Sequence, residues 1–191
     1  MTAPGRRERK KAATRRALSD AALGLFLERG FDKVTVAEIA EAADTAVSTL
    51  FAHFPAGKEA LILGDGAERG RALTAAVSDR PQGTSILKAL KDFLATRGPF
   101  EADPDPYTRR VAELVVTTPA LRAYARAMWT DNEESLAEVI AAAAGRDADD
   151  LSLRLLARYV LEIPDIAGTA PDAPAALEIA FEHLARGWPD L

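Results

Sequence analysis

The chain has 191 residues, of which 48% are hydrophobic, 28% charged and 6% aromatic, a profile that supports a packed core and excludes an intrinsically disordered chain. It contains no cysteine, which removes disulfide scaffolds, thiolate zinc sites and cysteine nucleophiles. The net charge of −5 conceals an asymmetry: residues 1–58 carry ten Lys and Arg against seven Asp and Glu, a net of +3, and residues 59–191 carry fourteen against twenty-two, a net of −8.

The basic excess is densest at the start, where Arg6, Arg7, Arg9, Lys10, Lys11, Arg15 and Arg16 face Glu8 alone. Such a stripe suits a phosphate backbone, whose condensed counterions are released on binding; a solvated tail has the same composition. No apolar stretch approaches the roughly 20 residues of a bilayer span. An apolar signal-peptide core is also missing, since Ala12 and Ala13 are followed by Arg15 and Arg16, so the expected location is the cytoplasm.

Strand-like alternation is almost absent, and Ala, Leu, Glu and Arg dominate, which predicts an all-α protein of about nine helices. Interruptions are expected at Gly30, 55–57, 81–83, 98–106, Pro119, 145–149 and 164–174. A first helix over about residues 9–29 places Leu18, Ala22 and Phe26 on one stripe with Ala17, Ala21 and Leu25 beside it, and Gly30 stops it. Thr35 and Glu38 then form the Thr-x-x-Glu signature of a capping box. The short helix that follows, Val36 to Ala43, points Val36, Ile39, Ala40 and Ala43 inward.

A turn at Asp44 and Thr45 leads to a second short helix, about Ala46 to Phe51, anchored by Val47, Leu50, Phe51 and Phe54. Two compact helices joined by such a turn read either as a helix-turn-helix, whose second member enters a major groove, or as an ordinary helical hairpin within a bundle. On the first reading Thr45, Val47, Ser48, Thr49 and His53 are the candidates for contact with base edges.

Over residues 10–63 the sequence resembles the N-terminal domain of the TetR family of transcriptional regulators. The resemblance rests on Arg16, Ala21, Ala22, Leu25, Phe26, Gly30 and Phe31, on Thr35, Val36, Ile39 and Ala40, and on Thr49, Leu50, Phe51, His53, Phe54, Lys58, Glu59 and Leu61. It implies a helix-turn-helix, with Thr35 and Lys58 as phosphate contacts that set register and the recognition-helix residues as readers of sequence. It further implies two domains: a three-helix DNA-binding domain over residues 1–56, and a helical ligand-binding and dimerising domain over residues 57–191. The implied function is that of a ligand-responsive repressor, a homodimer that binds a pseudo-palindromic double-stranded DNA operator and is released by a small-molecule effector; no cofactor and no membrane are involved. Three features depart from the family pattern. Asp44, Thr45 and Ala46 occupy a turn that usually opens with Gly, Phe51 stands where Tyr is commonest, and the turn before Lys58 is one residue longer than usual.

Beyond residue 57 the resemblance weakens. A helix is predicted from near Gly57 to about Ser78, carrying Gly64, Gly66 and Gly70, which serve either close packing or a softened link. A dinucleotide-binding loop is rejected there, because no βαβ unit surrounds the glycines. Candidate ligand-lining residues are Phe93, Arg97, Phe100, Tyr107, Val111, Tyr124, Met128 and Trp129. Arg97 would suit an acidic ligand and Glu162 a basic one. In the last two helices Leu151, Leu155 and Tyr159, and then Leu177, Phe181, Leu184 and Trp188, recur at helical spacing, and both stripes are candidates for the dimer interface. A stripe that only completes the monomer's core would have the same spacing.

Two other functions compete with this one. An architectural DNA binder tolerant of sequence and free of effector control shares the basic N-terminus. An enzyme is disfavoured, because His53 and His183 lie far apart in sequence and no nucleophile elbow, metalloprotease or phosphate-loop motif occurs. No catalytic and no metal-binding residues are expected.

Overall fold

The computed structural model describes residues 5–64 and 66–191. Among them the chain forms eleven α-helices, joined by turns and short 3-10 segments, and no strand. They pack as two compact units that divide at residue 65, so the boundary expected at residue 56 falls inside the first unit.

In the first unit, α1 (Arg6–Arg29) begins three residues earlier than its hydrophobic pattern suggests. The Gly5 N–H donates to the Glu8 carboxylate at 3.1 Å, which satisfies one of the unpaired amides at the helix start. Leu18, Ala22 and Phe26, each four residues after the last, are fully buried. Gly30, at φ 86°, ends the helix. Phe31 then turns back onto Phe26, with ring centroids 4.9 Å apart.

α2 (Val36–Ala42) is closed by the expected capping box. The Glu38 N–H donates to the Thr35 hydroxyl at 3.3 Å, and the Thr35 N–H donates to the Glu38 carboxylate at 2.8 Å. Asp44 then adopts φ 49°, the one left-handed non-glycine among the described residues; a short polar side chain tolerates that geometry better than most. The Thr45 N–H donates to the Ala40 carbonyl at 2.9 Å and α3 (Val47–His53) departs. Leu50 and Phe54 seat it in the core of the unit, and α4 (Ala60–Leu63) completes the unit against α1.

The helix predicted from residue 57 to 78 is two helices. Gly64 at φ 74° and Gly66 at φ 78° take backbone conformations that no α-helix contains, so α4 ends before them and α5 (Ala67–Ser78) starts after them. Gly70 does something different. It is buried within α5, and a Cβ there would lie 2.0 Å from the Asn132 side-chain oxygen, so it permits close packing.

The second unit contains α5, α6 (Ile86–Ala95), α7 (Pro106–Thr117), α8 (Pro119–Thr130), α9 (Glu133–Ala144), α10 (Leu151–Ile166) and α11 (Ala173–Gly187). Ser85, Asp105, Asp150 and Asp172 cap α6, α7, α10 and α11 through their side-chain oxygens. α10 packs against both α8 and α9, α5 packs on α6 and α9, and α11 lies on α6. The interruption expected over 164–174 starts slightly later: α10 runs through Pro164 to Ile166, and α11 begins at Ala173. The core is aliphatic, centred on Leu90, Leu136, Ile140 and Leu156, all fully buried.

Candidate nucleic-acid interface and ligand-facing residues

The core of the first unit fixes which side of α3 remains open. With Leu50 buried and Thr49 half-buried, the outer face presents Val47 (37% exposed), Ser48, Phe51 (46% exposed) and Ala52. This face has the width of one short helix and carries no charge. Two of these side chains, Val47 and Phe51, are apolar, lie four residues apart and are left in water. Thr45 is half-buried at the turn and Thr35 is exposed at the start of α2.

His53 is half-buried, and its Nδ1 is buried without a hydrogen-bond partner. Its carbonyl accepts a 2.7 Å bond from the Arg15 guanidinium, which stacks 4.3 Å above the Phe54 ring and so ties α1 to the end of α3. The rest of the basic run, Arg6, Arg7, Arg9, Lys10, Lys11 and Arg16, is exposed along α1.

Lys58 is tied within the first unit. Its ammonium donates to the Phe31 carbonyl at 2.8 Å and the Val34 carbonyl at 3.1 Å, and it lies 4.0 Å from the Phe31 ring centroid. Two of its three protons are therefore committed to the link between α1 and α2, which leaves one for the phosphate contact expected of this side chain. Glu38 is equally engaged. The Thr35 N–H, then Arg29 at 2.6 Å, then the Thr35 hydroxyl hold its carboxyl at about 2 against an ordinary 4.5.

In the second unit the expected ligand-lining residues separate. Phe93 and Trp129 are buried edge to face with centroids 6.4 Å apart, Met128 is buried, and Tyr124 is half-buried. Arg97 lies 3.5 Å above the Phe93 ring. Phe100, like Phe93 and Trp129, belongs to the buried core of the unit, packed where Gly168 allows close approach. Tyr107 is 54% exposed at the start of α7, and so does not line an interior, while Val111 one turn later is half-buried.

Glu162 is corrected as a partner for a basic ligand: Arg126 grips it bidentately at 2.7 and 2.8 Å and Arg158 adds a contact at 2.9 Å. Those cations, Arg126 foremost, hold its carboxyl below the ordinary range. An open cleft of about 770 Å³ touches none of the expected lining residues, and its own cations are already engaged, Arg80 with the Val77 and Thr84 carbonyls and Arg146 with Asp150.

Arg69 is the residue that the pattern reading missed. It sits one and two turns before Leu73 and Val77 on the buried stripe of α5, and a charge in phase with a core stripe was the available signal.

The two dimer stripes fare differently. Leu177, Phe181 and Leu184 are buried in the core of the unit and offer nothing to a second copy, which corrects their assignment to an interface. Trp188 is half-buried, donating to the Ser152 hydroxyl at 2.8 Å and meeting the Tyr159 ring at 5.9 Å. Leu151 (66% exposed), Leu155, Tyr159 and Ile166 (70%) line the outer face of α10, and Ile179 on α11 is also exposed.

Comparison with known proteins agrees with this architecture. Residues 18–64 match the family model for bacterial regulatory proteins of the tetR family, and residues 84–189 match the model for the MftR C-terminal domain. The chain is 37% identical over 153 residues to the HTH-type transcriptional regulator TcmR of Streptomyces glaucescens, an alignment that covers 77% of this chain and 67% of that protein. Salmonella enterica GusR has the same fold, with a TM-score of 0.59 at 20% identity, covering 91% of this chain and 94% of that one. Thermus thermophilus FadR, solved in complex with lauroyl-CoA, gives a TM-score of 0.53 at 25% identity over 91% of this chain and 94% of that one. No helix among the described residues is long and apolar enough to cross a membrane. A helix-turn-helix unit and a helical C-terminal unit, each matched by its own family model, make the chain a member of the TetR family of bacterial transcriptional regulators.

Proposed function

We propose that the protein is a ligand-responsive repressor, a homodimer that reads a pseudo-palindromic operator through its first unit and loses affinity when its second unit binds a small molecule. The observation that carries this reading is the outer face of α3, where Val47, Ser48, Phe51 and Ala52 are held outward by the burial of Leu50 and Phe54. Apolar side chains of this size suit thymine methyl groups, and a serine hydroxyl can bond a base edge or a phosphate. The exposed cations of α1 supply attraction to the backbone beside that face. The open apolar row on α10 supports association with a second copy. The acyl-CoA captured by the Thermus relative supports an effector role for the second unit.

Selection from genomic fragments followed by footprinting tests the reading. The expected result is a short site with two half-sites about 10 base pairs apart or a multiple of that. Val47→Ala and Ser48→Ala should each weaken that site by about 1 kcal/mol and leave bulk DNA affinity unchanged. Equal affinity for every duplex would instead mark a sequence-tolerant binder, and a monomer in sedimentation at micromolar concentration would overturn the dimer.

A further inference from the structure

Arg69 and Arg97 belong to different helical segments of the second unit yet share one aromatic environment. Arg69 follows the buried stripe of α5 inward, reaches the Met128 thioether at 3.9 Å and lies 5.2 Å from the Trp129 ring centroid. Arg97, just beyond α6, covers Phe93, and Phe93 meets Trp129 edge to face. Burial, followed by the like charge of Arg97, pushes the Arg69 guanidinium below its ordinary range, and burial does the same to Arg97.

Neither has a carboxylate partner among the described residues. Five acids of the unit are engaged with other cations: Glu162 with Arg126 and Arg158, Asp165 with Arg122, Glu133 with Arg158, Glu178 with Lys91, and Asp150 with Arg146. Nη1 of Arg97 donates to the Phe93 carbonyl and the Thr96 hydroxyl, whereas among the described residues Arg69 meets sulfur, a weak acceptor, and the face of an indole. Buried cations are ordinarily paired, because removing charge from water without compensation is costly. Two half-buried guanidiniums with no carboxylate partner among the described residues, bordered by rings and a thioether, have the composition of a site for an organic anion.

We propose that Arg69 and Arg97 hold the anionic end of the effector, a carboxylate carried on an aromatic or aliphatic body that packs on Phe93, Met128 and Trp129. This rests on the reading of the second unit as the effector-binding domain and specifies its ligand class. Arg69 also gains a role that its place on a core stripe does not otherwise explain.

The test uses the full chain with decanoate and 1-naphthoate as probes, decanol, decylamine and 1-naphthamide as matched uncharged or cationic bodies, and decyl phosphate as the other anion. At least one carboxylate should raise the melting temperature by several degrees while its matched non-anionic bodies do not. Arg69→Gln and Arg97→Gln should each weaken that carboxylate by about tenfold or more in calorimetry. Arg154→Gln, which removes an exposed cation of the same unit, should bind as the parent does. Without ligand, Arg69→Gln should melt no lower than the parent, because it removes an uncompensated charge.

Anions that bind no better than their matched bodies, decyl phosphate as the one anion that binds, Gln variants that bind normally, or a ligand-free Arg69→Gln protein that melts several degrees lower would each overturn the assignment. The regulator reading is scored separately. If the parent selects an operator but is indifferent to every anion, the anion site falls and the regulator stands; if it selects no operator, the regulator falls while melting and calorimetry still decide the arginines.

Discussion

Lys58 in the first unit and Arg69 in the second are both cations drawn in among aromatic rings, and they differ in what meets their protons. Lys58 donates to two main-chain carbonyls, while Arg69 is offered a thioether, an indole face and a second guanidinium. A cation satisfied by its own fold stabilises that fold; one left short costs stability and is a candidate for binding. The same contrast holds between the units. The first satisfies its inward-reaching cations Arg15 and Lys58 with its own carbonyls and leaves apolar side chains outside on α3. The second leaves cations short inside and an apolar row bare on α10.

The largest expected effect tests where the core of the second unit ends and its outer face begins. Phe181→Ala should cost about 3–5 kcal/mol of unfolding free energy, and the loss should be the same at every protein concentration in urea titrations. Leu155→Asp should leave folding nearly intact and shift sedimentation toward monomer, because that side chain is already 41% exposed.

Next is Lys58→Ala, which strips donors from the Phe31 and Val34 carbonyls and should destabilise the first unit by about 2 kcal/mol. The slope of DNA affinity against salt should stay unchanged, since the ammonium serves carbonyls; a flatter slope would return Lys58 to the phosphate contacts.

A smaller loss, about 1–2 kcal/mol by overpacking, is expected from Gly70→Ala. The Asn132 amide that the new methyl would strike is itself held by bonds to the Met128 and Trp129 carbonyls, so it cannot easily yield. Thermal unfolding checks this.

The smallest effect is confined to acid. The folded value for Glu38 lies below its ordinary one, so the stabilisation it brings is complete above pH 4.5 and is lost as pH falls toward about 2. Glu38→Gln should therefore flatten the pH dependence of stability within that window, read from urea midpoints at stepped pH. An unchanged acid limb would mean that the capping box does not hold the carboxyl as described.

Local features were legible because their causes are local. Thr35 and Glu38 are three residues apart and meet through one helical turn; Gly30 ends α1 by its own conformational freedom; Asp44 makes the turn that its position demanded. Of the recognition-helix candidates Val47 and Ser48 are exposed and Thr45, Thr49 and His53 half-buried, since Leu50 and Phe54 set the phase of α3. The internal tie of Lys58 was not legible, because nothing in its neighbours along the chain foretells that carbonyls 27 and 24 residues earlier would take two of its protons.

The C-terminal stripes were ambiguous for a related reason. Leu177, Phe181 and Leu184 repeat as regularly as Leu151, Leu155 and Tyr159, but α11 turns its stripe onto α6 and α10 turns its own outward. Periodicity states that a helix has an apolar face and is silent on what covers it.

By itself, then, the chain determined an all-α protein with a capped pair of short helices near its N-terminus, because propensities, caps and four-residue spacing act within a turn or two of helix; the family resemblance made that pair a helix-turn-helix. Only the tertiary structure decided which apolar stripe is core, which cation is satisfied and which acid is already taken. Those depend on groups far apart in sequence being brought within about 3–4 Å, the range over which hydrogen bonds and close packing act.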